Sequence, residues 1–144
     1  MLKYSEGIRN YMMVTGSLRD ALTGGELRLY SGPVPVSPND ALGSATLLLT
    51  YNNAGAGVNF EASANNGTLV KSLAETWTGS VVADGTPTFF RFVQPGDTGG
   101  VSTNNRRVQG TVGQAGADMN ITNLTLVTGS LQALDYFYLT MPEA

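Results

Sequence analysis

The amino-acid sequence predicts a mainly β protein: an antiparallel β-sandwich, jelly-roll-like, with a short N-terminal helical segment. Three observations carry this. Beyond Gly25, apolar residues recur with period two in short runs, as in half-buried strands. Turn formers separate the runs, with 18 Gly and 6 Pro spread along 144 residues. Charged residues are only 13 % against 42 % apolar, where ~25 % charged is typical. The surface is therefore built from Ser, Thr, Asn, Gln and Gly, which suits all-β proteins and proteins packed against neighbours. The length fits one domain, residues 1–144, with a helical segment over 5–23 and the β-sandwich over 25–142.

Within 5–23, Ile8, Tyr11, Met12, Thr15, Leu18 and Leu22 fall near helical spacing. Ser5 can cap the start, with Glu6 favourable in the first turn. Gly16-Ser17 interrupts the pattern, Ser17 with Asp20 can cap a second turn, and Gly24-Gly25 ends it. One kinked helix or two short ones are expected.

Strands follow. Leu27 and Leu29 alternate with Arg28 and Tyr30 until Ser31-Gly32-Pro33-Val34-Pro35 breaks the run. Ser44–Tyr51 is a second strand, with Leu47-Leu48-Leu49 apolar on both faces. Val58, Phe60 and Ala62 alternate with Asn59 and Glu61, and Leu73, Glu75 and Trp77 with Ala74, Thr76 and Thr78. Asp84-Gly85 turns the chain into Thr88–Val93, and a polar loop, 94–105, leads to Val108, Gly110 and Val112. Met119–Val127 and Leu131–Met141 close the chain. Met119 and Ile121 share a phase that Leu124 and Leu126 do not, which requires a bulge or kink near Thr122-Asn123.

Two strands are apolar on both faces. In Thr88–Val93, Phe90 and Phe92 point one way, and Phe89, Arg91 and Val93 the other. In the last strand Phe137 and Leu139 oppose Tyr136 and Tyr138. One core needs fewer apolar faces than this, so a second covered face is expected, under the N-terminal helix or another subunit. Phe89, Arg91, Val93, Glu75, Phe137 and Leu139 are the candidate interface residues. Glu75, sharing the expected face of Leu73 and Trp77, or a partner's acid, is the expected mate of Arg91.

Little in the chain carries chemistry. Without Cys or His there are no disulfides, thiolate nucleophiles, Cys/His zinc sites or Ser-His triads. The Gly-rich stretch 110–116 lacks the Gly-Lys-Ser/Thr of a phosphate loop and reads as a turn. The 97–105 loop has oxygens a calcium ion uses but not the regular loop spacing, and a solvated loop is favoured. Asp40, Asp84, Asp97 and Asp118 fall at turns or strand ends, where they accept backbone N–H bonds rather than form a glycosidase pair. Trp77, Phe89, Phe90, Phe92, Tyr136, Phe137 and Tyr138 offer a carbohydrate platform or, more simply, core. Neither enzymatic activity nor a cofactor or metal is expected. Eight Lys and Arg against 11 Asp and Glu, with only Arg106-Arg107 adjacent, are too few for nucleic-acid binding. No apolar run is long enough to span a membrane, and no signal peptide is expected.

Four segments, GGELRLYSGPVP (24–35), DGTPTFFRF (84–92), QGTVGQAGADMNI (109–121) and FYLTMP (137–142), resemble small virion proteins of tailed bacteriophages, of the jelly-roll capsid cement or decoration type. The resemblance covers nearly the whole chain after residue 24 and carries no catalytic residues. It implies a protein on the outer surface of the capsid, made in the bacterial host cytoplasm, whose partners are the major capsid protein and itself, as a dimer or trimer. A tail, baseplate or head–tail joining component is the alternative within virions. Outside them, the alternatives are a carbohydrate- or receptor-binding β-sandwich and, last, a small glycan-cleaving enzyme.

Overall fold

Ser5 and Ser17 open two short helices, α1 (Glu6–Val14) and α2 (Leu18–Leu22), in a computed structural model that describes residues 2–141. Each serine accepts a backbone N–H of the first turn, Ser5 from Ile8 and Ser17 from Asp20. Pro142, where the expected β region ends, lies outside the described residues. Gly24, at φ 75°, turns the chain out of α2.

The strands are β1 (Lys3–Tyr4), β2 (Glu26–Ser31), β3 (Thr46–Asn53), β4 (Thr68–Val70), β5 (Trp77–Ser80), β6 (Phe89–Val93), β7 (Val108–Gly113), β8 (Met119–Asn120), β9 (Leu131–Leu134) and β10 (Tyr138–Thr140). The protein is mainly β and its sheets are antiparallel apart from one short pairing. The larger sheet runs β1-β7-β6-β2-β3-β5-β9, with β8 parallel to the far end of β7, and β4 pairs β10 separately. Across β2 and β3, Leu29 faces Leu49 but Tyr30 faces Leu47. Leu48 is thus the extra residue of a bulge, which lets Leu48 and Leu49 both be buried.

Register sorts side chains into two layers. Leu27 faces Phe92 and Leu29 faces Phe90; this side is the core. Phe60, Trp77, Phe90, Phe92 and Phe137 pack as one aromatic cluster there, with centroids 5.4 Å apart for Phe60–Phe92 and for Phe90–Phe137. Ile8, Ala21 and Leu22 of the helices belong to the same core. On the opposite side Arg28 faces Arg91, Arg91 faces Gln109, and Tyr30 stacks on Phe89 at 5.1 Å.

Several expected strands take other forms. Residues 58–62 form no strand; Val58 and Phe60 make single bridges to Gly25 and Lys71, and this places Phe60 in the aromatic cluster. The shared face of Leu73, Glu75 and Trp77 does not form, because a turn closed by Glu75 N–H to Ser72 C=O precedes β5 and leaves Leu73 exposed. Met119–Val127 stops as a strand after Asn120, turns where Asn123 accepts the Thr125 N–H, and regains pairing only at Leu126 opposite Gly85. Leu131–Met141 splits into β9 and β10, which join different sheets. The break lets Leu134, Phe137 and Leu139 all be buried, although Leu134 differs in phase from the other two. β1 and β4 are short and were not evident from periodicity.

Candidate functional site

The second layer is built by the segment that reads as a strand breaker. Residues 34–42 fold as a strap over the outer side of β6 and β7. Proline has no N–H, so this segment exposes carbonyls that need donors, and side chains of the sheet supply them. Gln109 Nε2 donates to Pro35 C=O at 2.7 Å, Arg107 Nη1 to Pro38 C=O at 3.0 Å, and Arg91 Nη2 to Asp40 C=O at 2.9 Å. Lys3 Nζ holds Val36 C=O, and Asn39 Oδ1 accepts the Glu6 N–H that opens α1.

The 94–105 loop closes the other side of this layer. Arg107 donates to both carboxylate oxygens of Asp97, at 2.7 and 2.8 Å, with both side chains buried. Arg28 Nη1 donates to the Asp97 backbone carbonyl, and Leu42 N–H to Gly99 C=O. Burial pushes the Asp97 carboxyl up, but the Arg107 fork and the Gly99 N–H outweigh this and hold it below the usual carboxylate range. Asp97 is therefore a structural anion rather than part of a solvated loop or a calcium ligand set. Arg91 Nε donates to Gln109 Oε1 at 2.8 Å. Burial, then the neighbouring Arg107 charge, push the Arg91 guanidinium down to about 10, so it stays charged at neutral pH.

The expected interface residues are thus mostly internal. Phe89, Arg91, Val93, Phe137 and Leu139 are all buried within the single chain. Within the chain it is the strap, rather than the helix, that covers Arg91, through the Ser37 and Asp40 carbonyls, while Phe89 stacks on Tyr30. Glu75 is not the mate of Arg91. It accepts from Asn59 N–H and Nδ2 and from Trp77 Nε1, at 2.8–2.9 Å, while Lys71 Nζ donates to its backbone carbonyl. Burial raises the Glu75 carboxyl, but the Asn59 and Trp77 hydrogen bonds and the Lys71 charge hold it below its ordinary value. Asp40, Asp84 and Asp118 accept backbone N–H groups of Ser37, Thr128 and Thr111, as expected of turn residues.

What the protein presents outward lies elsewhere. Val82, Val127 and Leu131 are 61 %, 52 % and 69 % exposed. Backbone bonds Val81–Ser130, Gly129–Val81 and Ser130–Val127 gather their backbones at one end. Leu131 begins β9, one of the two edge strands of the large sheet, whose second side pairs with no strand among the described residues. A second feature is the exposed pair Tyr136 and Tyr138, edge to face at 5.6 Å. Hollows beside these rings are lined by Asn120, Asn123, Gln132 and Asp135. The other expected platform aromatics are buried. Exposure of these two groups depends on strand ends and sheet edges that periodicity alone does not locate.

Among the described residues no cluster of three or more acidic side chains could hold a metal ion, and no helix is long and apolar enough to cross a membrane. No family model, curated protein or solved structure matches this chain.

Proposed function

We propose that this protein is a structural component of a tailed-phage virion, a capsid cement or decoration protein that binds the outer face of the mature head. The observation that carries the reading is the apolar end formed by Val82, Val127 and Leu131 beside the open edge of β9. A chain with so few charges that still exposes branched apolar residues at a sheet edge is suited to burial in an assembly. Self-association along that edge into a dimer or trimer, with another surface against the major capsid protein, gives the symmetric contacts that such a role needs. The resemblance of four segments to phage decoration proteins is what favours the capsid as the location. The mechanism is mass action: a protein that binds the assembled shell, and not the loosened one, stabilises the shell against internal pressure.

The test is to mix purified protein with heads that lack it. Saturable, stoichiometric decoration and a higher temperature of DNA release are expected. Binding to tails but not to heads overturns the cement reading in favour of a tail, baseplate or joining component.

A carbohydrate- or receptor-binding reading has one observation in its favour, the exposed Tyr136–Tyr138 pair with amide side chains beside it. Tyr136→Ala with Tyr138→Ala then abolishes glycan retention without changing head binding.

A further inference from the structure

Arg106 lies next to the buried Arg107 in sequence and is used in a different way. Its guanidinium lies over the ring of Tyr11 on α1, 4.6 Å from the centroid. Its Nε is buried and has no hydrogen-bond acceptor. Among the described residues no carboxylate or carbonyl is hydrogen-bonded or ion-paired to any of its nitrogens. A guanidinium carries five N–H donors in a fixed fork, and leaving a buried one unpaired is costly. Every other buried guanidinium donor in the strap layer, apart from one nitrogen of Arg91, has an acceptor.

Arg106 also lines a cleft of about 520 Å³ between the C-terminal half of α1 and the 94–105 loop. That size is in the range of small-ligand sites. Its walls carry amide side chains, Asn10, Gln94, Asn104 and Asn105, with Gly96 leaving open space. The one acidic side chain there, Asp97, already has both oxygens engaged by Arg107, so the free charge of the cleft is that of Arg106.

We propose that this cleft binds a hydroxylated carboxylate, of the class of sugar acids. The carboxylate takes the Nη donors of Arg106, whose guanidinium rests over the Tyr11 ring. The Asn10, Asn104 and Asn105 amides, each both donor and acceptor, take the hydroxyls, and Gln94, whose Nε2 donates to Ala21 C=O, adds its amide oxygen. The site is independent of the apolar end and of the tyrosine pair, so it stands whether or not the protein decorates a capsid.

The test uses the full chain and the Nε–H resonance of Arg106 in isotope-labelled protein. It is titrated with glucuronate, galacturonate and N-acetylneuraminate, and separately with glucose, galactose and acetate. A saturable shift with at least one sugar acid, at roughly tenfold lower concentration than acetate or any neutral sugar, is expected. Arg106→Gln should weaken that binding by about tenfold or more while retaining the thermal midpoint. If Arg106→Gln folds poorly, Asn104→Ala, at an exposed wall residue, should give a smaller loss of the same affinity. A glycan ending in the acid is compared with the free acid, to separate a glycan terminus from a free sugar acid as the source. No saturable shift, an equal response to acetate, unchanged affinity in both variants, or tighter binding of an acidic peptide at Arg106 overturns the proposal.

Discussion

Arg91 and Gln109 face each other across β6 and β7, and the Arg91 Nε–H donates to Gln109 Oε1 at 2.8 Å. Each then reaches the strap with its remaining donors, Gln109 to Pro35 C=O and Arg91 to Asp40 C=O. The pair is therefore the bracket on which an irregular, proline-containing segment is hung.

Arg91→Ala removes this bracket, opens a cavity and leaves the carbonyl of Asp40 without its donor. A loss of about 3 kcal/mol in unfolding free energy is expected. Arg91→Met fills the space without the charge and should cost distinctly less. Denaturant titration of both variants checks the order; equal stability of Arg91→Ala and wild type would show that the strap holds without the bracket.

The buried Arg107–Asp97 pair predicts an acid dependence. The folded state holds the Asp97 carboxyl below its ordinary value. Its contribution is fully present above the unfolded value, about pH 4, and is lost as pH falls through the lower folded value. Asp97→Asn should lose roughly 3–5 kcal/mol at neutral pH and give a flatter stability curve between neutral and acid pH. Parallel curves for variant and wild type would mean that Asp97 is not the titrating group.

Ser5 does more than cap α1. Its hydroxyl accepts the N–H groups of Ile8 and Arg107 and donates to Asn105 C=O, in a buried site. Ser17, itself exposed, only caps α2. Ser5→Ala should therefore cost about 2–3 kcal/mol, and Ser17→Ala about 1. Hydrogen exchange at Arg107 N–H should rise in the first variant and not in the second.

A charge placed on the apolar end tests its role in assembly. Leu131→Lys should shift the protein toward monomer in sedimentation and weaken head decoration, while stability stays within about 0.5 kcal/mol of wild type. Unchanged association would remove this end from the self-contact.

Local pattern in the sequence was enough to locate the two capped helices, the strands at 26–31, 46–53, 89–93 and 108–113, and the inward aim of Phe90 and Phe92. These depend on neighbours a few residues apart, on alternation, capping hydroxyls and turn residues, and such signals survive without knowledge of the fold. Arg91 was legible as a cation on a covered face. What covers it was not, because the strap's carbonyls, Pro35, Ser37, Pro38 and Asp40, lie 51 to 74 residues away from their donors. The same limit hid the acceptor set of Glu75 and the stacking of Arg106 on Tyr11.

The sequence by itself thus determined a mainly β chain, short on charge and rich in turns, with more apolar faces than one core needs. Only the tertiary structure decided how those faces are covered. Breaks after Asn120 and Leu134 let one stretch feed two sheets, which brought Phe137 and Leu139 inside. A buried backbone carbonyl must find a donor wherever the fold brings one, so a segment with little pairing of its own became the lid over the guanidinium of Arg91.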